Sequence, residues 1–117
     1  MARPKEFLDW AVTTFGPIAN DRTERLMRFI EEAVELAHAE SLPEIALQRV
    51  IERVYSRKPG ATYREVGQAQ ACLETFAESI GLSSDKEASI EFARVRCIPK
   101  EDWQKRHAAK VAIGIAG

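Results

Sequence analysis

The spacing of apolar residues is the feature that most limits what this chain can fold into. Apolar side chains recur every three or four residues in one segment after another, as in the first stretch, which carries Phe7, Leu8, Ala11, Val12 and Phe15. That period is typical of one face of an α-helix, and no segment shows the alternation of a half-buried strand. The sequence therefore predicts an all-α fold, and we expect a bundle of four to five helices.

Glycines and prolines mark the ends of the predicted helices, because glycine stops a helix and proline cannot continue one. The helical segments are expected at about Pro4–Phe15, Asp21–Ala39, Glu44–Arg57, Thr62–Ile80 and Ser84–Val95, with a basic segment after Pro99, Lys100–Lys110, continuing as another helix.

Two capping boxes are predicted at helix starts. Asn20 or Asp21 is a credible N-cap for the second helix, with Glu24 three residues after Asp21. Thr62 and Glu65 form a Thr-x-x-Glu pattern at the fourth helix. In such a box the side chain of the N-cap residue accepts a hydrogen bond from the backbone N–H three residues later. The side chain of the glutamate in turn accepts a hydrogen bond from the backbone N–H of the N-cap residue.

The predicted core-facing stripes lie on the second, third and fourth helices. The residues that share these stripes are Leu26, Phe29, Ile30, Ala33, Leu36, Ala37, Ile45, Leu47, Val50, Ile51, Val54, Tyr55, Val66, Ala69, Leu73, Phe76, Ala77 and Ile80. Helical projection puts Glu65 and Gln68 on or beside the stripe of the fourth helix. A carboxylate on a core-facing side is costly unless it is paired, capped or bound to metal. Glu65 is therefore either a capping residue or a site residue.

Length and charge exclude several classes of protein. A chain of 117 residues is expected to form one domain over residues 1–117, and its 45% hydrophobic and 30% charged residues are typical of a globular protein. A net charge of -1 gives no basic field, so neither a nucleic acid polymer nor an anionic membrane is an expected partner. No run of residues is apolar enough to span a membrane, and no secretory signal is visible. A cytoplasmic location is expected.

The cysteines support a reducing compartment. Cys72 and Cys97 are far apart and lack the Cys-x-x-Cys spacing of a metal site. They are expected to be buried or incidental thiols rather than a disulfide, because a chain of this size does not need one.

A cluster of carboxylates is the main candidate site. Glu31, Glu32 and Glu35 lie within one predicted helix, where residues three or four apart are neighbours on the surface. Like charges at this spacing are mildly unfavourable. The cluster is therefore either a solvated acidic face or a site that a cation neutralises.

The order of acidic residues resembles the signature of the MazG-like all-α nucleoside triphosphate pyrophosphohydrolases, which is Glu-Glu-x-x-Glu followed by Glu-x-x-Asp. The first half is intact as Glu31-Glu32-x-x-Glu35, and the second reads Glu65-Val66-Gly67-Gln68, with Gln at the position of Asp. The resemblance spans roughly Trp10 to Arg106 and includes the Trp-x-x-x-Thr-Phe-Gly opening. It implies a single MazG-like helical domain, assembled as a homodimer or as a homotetramer built from two dimers.

The resemblance also implies a reaction. A (deoxy)nucleoside triphosphate would be cleaved between the α and β phosphates, giving the monophosphate and pyrophosphate and serving nucleotide-pool housekeeping. Glu32, Glu35 and Glu65 would bind Mg²⁺ (Mn²⁺ can substitute), and Glu31 would be a ligand or the base that orients water. Gln68 can still offer an amide oxygen to the metal, but it removes one negative charge.

The substrate-binding candidates are aromatic and basic. Trp10 and Phe15 could stack on the base, although aromatic packing at the rim of the core is the more usual explanation of Trp10. The candidates for holding phosphates, each of which is otherwise an ordinary surface charge, are Arg25, Arg28, Arg94 and Lys105. The histidines, His38 and His107, show no catalytic spacing and are interpreted as surface residues.

Two other functions are left open by the sequence. Gln68 favours a non-catalytic nucleotide-binding or regulatory MazG-like protein with a weakened metal site. A plain helical interaction protein, in which the glutamates only face solvent, is the third hypothesis.

Overall fold

The computed structural model describes residues 3–117, which are all-helical and contain no strand. Six α-helices and one short 3₁₀ helix make up the described chain. Their bounds are α1 Arg3–Phe15, the 3₁₀ helix Pro17–Asn20, α2 Arg22–Ala39, α3 Glu44–Tyr55, α4 Thr62–Ser79, α5 Ser84–Arg96 and α6 Lys100–Ala112. The all-α prediction is confirmed. The described residues form six helices rather than the expected four to five, and the sixth is the segment after Pro99 that was expected to continue as another helix. Pro99, which cannot continue α5, takes the N-cap position of α6.

The helices fall into two compact units. The first includes the chain up to Val34 together with Ser89–Gly117, and the second is Glu35–Ala88. The unit boundaries fall within α2 and within α5. A single MazG-like domain therefore stays a prediction.

An aromatic cluster forms the core of the first unit. Phe7 stacks on Phe92 with ring centroids 4.6 Å apart, and Trp10 makes edge contacts with Phe15 at 5.9 Å and with Trp103 at 5.7 Å. The indole of Trp103 donates its N–H to the carbonyl of Val95 at 3.0 Å, so this partly buried polar group is satisfied. The predicted aromatic packing of Trp10 is confirmed.

Of the two predicted helix caps, the one at α2 is formed in the structure and the one at α4 is not. The backbone N–H of Glu24 donates to Asp21 Oδ2 at 2.9 Å, so Asp21 caps α2 as predicted. At α4, however, the N-cap is Ala61, which makes no side-chain capping bond, and Thr62 is already the first helical residue. The predicted Thr62–Glu65 capping box is therefore wrong. The pattern alone does not fix which residue first takes helical dihedral angles.

Three helices end in the same way. Ser41, Gly81 and Gly114 each follow a helix with a positive φ, of 62°, 77° and 81° respectively. The next residue then bonds back, as Leu82 N–H does to the carbonyl of Ala77 at 2.8 Å. This left-handed termination is easy for glycine, and it confirms Gly81 as the end of the fourth helix.

The second unit buries almost none of its predicted stripe. Among its residues, Ala77 is the one buried hydrophobic side chain, whereas Val50 is 57% and Val66 61% exposed. The stripe residues of the first unit on α2, including Leu26 and Phe29, are exposed as well. The prediction that these faces form the core of one chain is wrong for the single chain. Periodicity shows which residues share a helix face, but not what covers that face.

Two further observations concern the predicted location. No helix in residues 3–117 combines the length and the apolarity that a crossing of a bilayer requires. Cys72 and Cys97 are free thiols, and both are exposed rather than buried.

Candidate functional site

The acidic motif lies on one uninterrupted helix. Glu31, Glu32 and Glu35 all belong to α2, a helix of 18 residues, and Glu32 and Glu35 are exposed. Glu31 and Glu32 belong to the first unit, whereas Glu35 belongs to the second, as do Glu65 and Gln68. The helical geometry expected for Glu-Glu-x-x-Glu is therefore present.

Glu31 is partly buried and bound by two cations. Its Oε1 accepts a hydrogen bond from Lys110 Nζ at 2.8 Å and lies 3.3 Å from Arg28 Nη1. Arg28 is on the preceding turn of α2, and Lys110 comes from α6. This oxygen is thus already neutralised by side chains of the chain itself.

Arg94 is engaged by carboxylates. It donates from Nε to Glu91 Oε2 at 2.9 Å and from Nη2 to the other oxygen of Glu91. The hydrogen bond to Glu91, followed by the charges of Glu91 and Glu32, raises the pKa of Arg94. The same hydrogen bond lowers the pKa of Glu91. A phosphate at Arg94 would therefore compete with at least one acidic side chain.

Glu65 and Gln68 are exposed on α4, as are Val66 and Leu73 of the apolar stripe beside which the projection puts them. The carboxylate of Glu65 lies against the backbone of Gly60, where a Cβ at position 60 would stand 2.5 Å from Glu65 Oε1. Any side chain at position 60 would thus displace that carboxylate. Because Thr62 is not the N-cap, Glu65 is not the partner of a Thr62 cap.

The proposed base-stacking residues lie in the aromatic cluster. Trp10 and Phe15 are partly buried, and both contact Trp103, with ring centroids 5.7 Å and 6.4 Å away. Phe15 also lies 5.4 Å from the ring of His107. These contacts give both residues a packing role in the first unit.

The other basic candidates differ in exposure. Arg25 and Arg28 are partly buried, and burial is the main cause that lowers the pKa of Arg25, opposed by the charge of Glu24. Lys105 is exposed on α6. Lys105 is therefore more exposed than Arg25 and Arg28.

Sequence reasoning missed three residues of this region. Glu24 is only 4% exposed and lies in ion-pair distance of Arg28, at 3.5 Å, and of His107, at 3.9 Å. From the sequence, Lys110 is only part of a basic segment, and His107 is interpreted as a surface residue. Glu24 was explained by capping, and no local pattern links residues that are 79 positions apart, as Lys110 and Glu31 are.

The donor chemistry fits a hard cation, although the described geometry does not gather a complete set. Glu32 and Glu35 offer exposed carboxylate oxygens one turn apart, which are the ligands that Mg²⁺ prefers. In the part of the chain that the structure describes, no three His, Cys, Asp or Glu side chains are grouped to hold a metal ion. Glu31, with two cations on one oxygen, is the least accessible carboxylate of the motif.

Comparisons with known proteins returned no match among protein-family models, curated proteins or solved structures.

Proposed function

We propose that this protein is a Mg²⁺-dependent nucleoside triphosphate pyrophosphohydrolase that cleaves the α-β phosphate bond of (deoxy)nucleoside triphosphates. The observation that carries the proposal is the Glu-Glu-x-x-Glu pattern on the regular helix α2, with Glu32 and Glu35 exposed. Carboxylate oxygens are the ligands that Mg²⁺ prefers, and Glu32 and Glu35 present them on the same helix.

Each acidic residue has a role in this proposal. Glu32, Glu35 and Glu65 hold the metal, Gln68 contributes its amide oxygen, and Glu31 orients the attacking water or completes the ligand set. The metal, when bound, neutralises phosphate charge and acidifies a water molecule. Among the basic candidates, Lys105 is exposed on α6 and is the one proposed to meet a phosphate.

A second candidate function is a nucleotide-binding regulator without hydrolysis. Gln68 cannot act as a base, and Glu31 is held by Arg28 and Lys110. Both positions are therefore better suited to binding a nucleotide than to catalysing its hydrolysis. Release of pyrophosphate decides between the two functions. A binding module would bind nucleotide with metal and leave the nucleotide intact.

The test is a panel of ribo- and deoxyribonucleoside triphosphates with Mg²⁺ or Mn²⁺, in which pyrophosphate is measured. Glu35→Gln and Glu65→Gln are expected to lower turnover by about two orders of magnitude or more while the protein stays folded. Gln68→Asp restores the acid of the motif and is expected to strengthen Mn²⁺ binding without lowering turnover.

Matched controls lie on α4 and directly after α2. Glu40 directly follows α2 and Glu74 lies on α4, and both residues are exposed. The control variants are Glu40→Gln and Glu74→Gln. Both variants should keep wild-type turnover. Equal turnover in Glu35→Gln, Glu65→Gln and the two controls would overturn the metal assignment.

A metal titration separates either nucleotide function from a plain interaction protein. A ligand that binds only the folded state raises its stability, by about 2.7 kcal/mol at a hundred times its dissociation constant. Wild-type protein should therefore melt at a higher temperature in Mn²⁺, and Glu35→Gln should lose most of that increase. A melting temperature unaffected by Mn²⁺ would favour the interaction protein.

A further inference from the structure

The segment Gly114–Gly117, which we call the strap, lies against the start of α2. The backbone N–H of Gly117 donates to Glu24 Oε2 at 2.8 Å, and His107 Nε2 lies 2.9 Å from the carbonyl oxygen of the same glycine. Glu24 is on α2 and His107 is on α6, and both belong with the strap to the first compact unit. A single residue of the strap is therefore bound by a carboxylate and by an imidazole.

The strap begins at a glycine and lines a cavity. Gly114 follows α6 with a φ of 81°, in the left-handed region that glycine adopts without strain. The cavity lies between the strap and the first turns of α2, where its lining residues are Asp21, Thr23, Glu24 and Met27. Glu24 is only 4% exposed in this arrangement. Release of the strap would therefore uncover a buried carboxylate.

The contact with Gly117 fixes where a neutral His107 carries its proton. A carbonyl oxygen can only accept a hydrogen bond, so Nε2 must carry the proton that is donated. The other ring nitrogen, Nδ1, then has a lone pair when His107 is neutral and an N–H when it is protonated. Nδ1 lies 3.9 Å from Glu24 Oε1, a buried atom that accepts no hydrogen bond from the described residues. Only the protonated ring therefore turns an N–H towards this carboxylate.

Two arginines of α2 act on the same carboxylate. Arg28 Nε lies 3.5 Å from Glu24 Oε1. Burial lowers the pKa of Arg25, and the negative charge of Glu24 opposes that shift. Both guanidinium groups oppose a positive charge on the imidazole. Because the contact with Arg28 leaves Glu24 Oε1 without a hydrogen bond, the oxygen can still accept from Nδ1.

The other elements around His107 bring no further carboxylate to the ring. Phe15 of α1 contacts the imidazole with ring centroids 5.4 Å apart, and neither the last turn of α1 nor the 3₁₀ helix carries a titratable side chain. Further along α6, the ammonium group of Lys110 is paired with Glu31 at 2.8 Å. Glu24 is therefore the carboxylate that faces the imidazole, and its charge decides the sign of the effect.

We propose that the strap is a pH-sensitive cover of the start of α2, with His107 as its proton switch. Protonation makes His107 and Glu24, the two side chains that bind Gly117, attract each other. Loss of that proton turns a lone pair towards the carboxylate, which weakens the hold on Gly117. The additional hold is thus present at low pH and is lost as the pH rises. The strap does not depend on the proposed function, because it requires neither a metal nor a nucleotide.

The experiment measures amide hydrogen exchange at Gly117 in the full chain, as a protection factor relative to the intrinsic rate at each pH. Histidine changes its charge between about pH 5 and about pH 8, so measurements at about pH 5.5 and about pH 7.5 span the change. Protection should fall by at least about threefold from the lower to the higher pH, the effect of one partly exposed ion pair. Ring ¹⁵N shifts should place the single proton of neutral His107 on Nε2.

Two substitutions remove the charge change and keep the hydrogen bonds to Gly117. His107→Gln retains an amide N–H that can donate, and Glu24→Gln retains an amide oxygen that can accept. Each variant should show equal protection at the two pH values. His38→Gln removes the other histidine of the chain, which is exposed on α2, and should keep the wild-type dependence on pH.

Three results would overturn the proposal. The first is wild-type protection at Gly117 that is equal at both pH values or greater at the higher one. The second is a pH dependence that persists in folded His107→Gln or Glu24→Gln, because another group would then be the one that titrates. The third is a neutral His107 ring with its proton on Nδ1. If either variant does not fold, the wild-type comparison and the ring shifts still decide.

Discussion

At the scale of single residues, acidic side chains of this chain are in very different surroundings. Glu24 is buried and receives a backbone N–H, Glu31 shares one oxygen with two cations, and Glu35 is exposed. The sequence places all three on the same helix. Their different partners decide which of them can bind a new ligand, because a paired carboxylate must first lose its partner.

The Glu91–Arg94 pair predicts a small pH dependence. The hydrogen bond from Arg94 lowers the pKa of Glu91 below its ordinary value of 4.5. Because the folded-state pKa is the lower one, the stabilisation is complete above the unfolded-state pKa and is lost as the pH falls through the folded-state value. Both side chains are about half exposed, so solvent screens the pair and its contribution to stability should be small.

The measurement for this pair is an NMR titration of the Glu91 carboxyl carbon. The Glu91 pKa should rise towards its ordinary value in Arg94→Met and stay low in Arg96→Met. If Glu91 titrates identically in wild type and Arg94→Met, the pair does not form in solution.

At the scale of helices, the first turns differ in whether a side chain caps them. α2 has a side-chain cap at Asp21, and α4 has none. The two helices have the same length, 18 residues each. They therefore allow a comparison between a helix whose predicted cap is formed, α2, and one whose predicted cap is not, α4.

Asp21→Ala should destabilise the protein by about 0.5–2 kcal/mol, because the N–H of Glu24 loses its acceptor. Thr62→Ala should change the stability by no more than about 0.5 kcal/mol, since Thr62 makes no capping bond. Urea unfolding of the two variants checks both values. A loss in Thr62→Ala as large as that in Asp21→Ala would restore the capping box at α4.

At the scale of the whole molecule, the exposed apolar surface is the dominant feature. Large hydrophobic side chains are exposed on α2, α3 and α4, among them Phe29, Val50, Ile51 and Val66. Monomeric proteins rarely expose large contiguous apolar areas, and stable interfaces bury about 1,200–2,000 Å² in total. We propose a homodimer or homotetramer in which a second copy of the chain covers these faces.

Sedimentation at micromolar concentration should show a dimer or tetramer. Val50→Glu and Val66→Glu should shift the protein towards the monomer and lower its melting temperature, because a charge would be placed in the interface. Gln70→Glu, an exposed position of α4, should leave the assembly unchanged. A wild-type protein that sediments only as a monomer would contradict the assembly.

The sequence by itself determined the local features of this protein. Helix period, the stops at Gly16-Pro17 and Gly81, the Asp21 cap and the row of glutamates on α2 all follow from neighbouring residues, whose dihedral preferences and spacing act within a few turns. The aromatic packing of Trp10 was predicted as well.

Tertiary structure alone decided the rest. The contact of Lys110 with Glu31, the burial of Glu24 and the binding of Gly117 join residues that lie far apart in the chain, and no local pattern encodes such pairs. The division into two units and the exposure of the predicted stripes also depend on which surfaces meet. Periodicity determines which residues share a helix face. The burial and the charge state of those residues depend on neighbouring groups that only folding brings near.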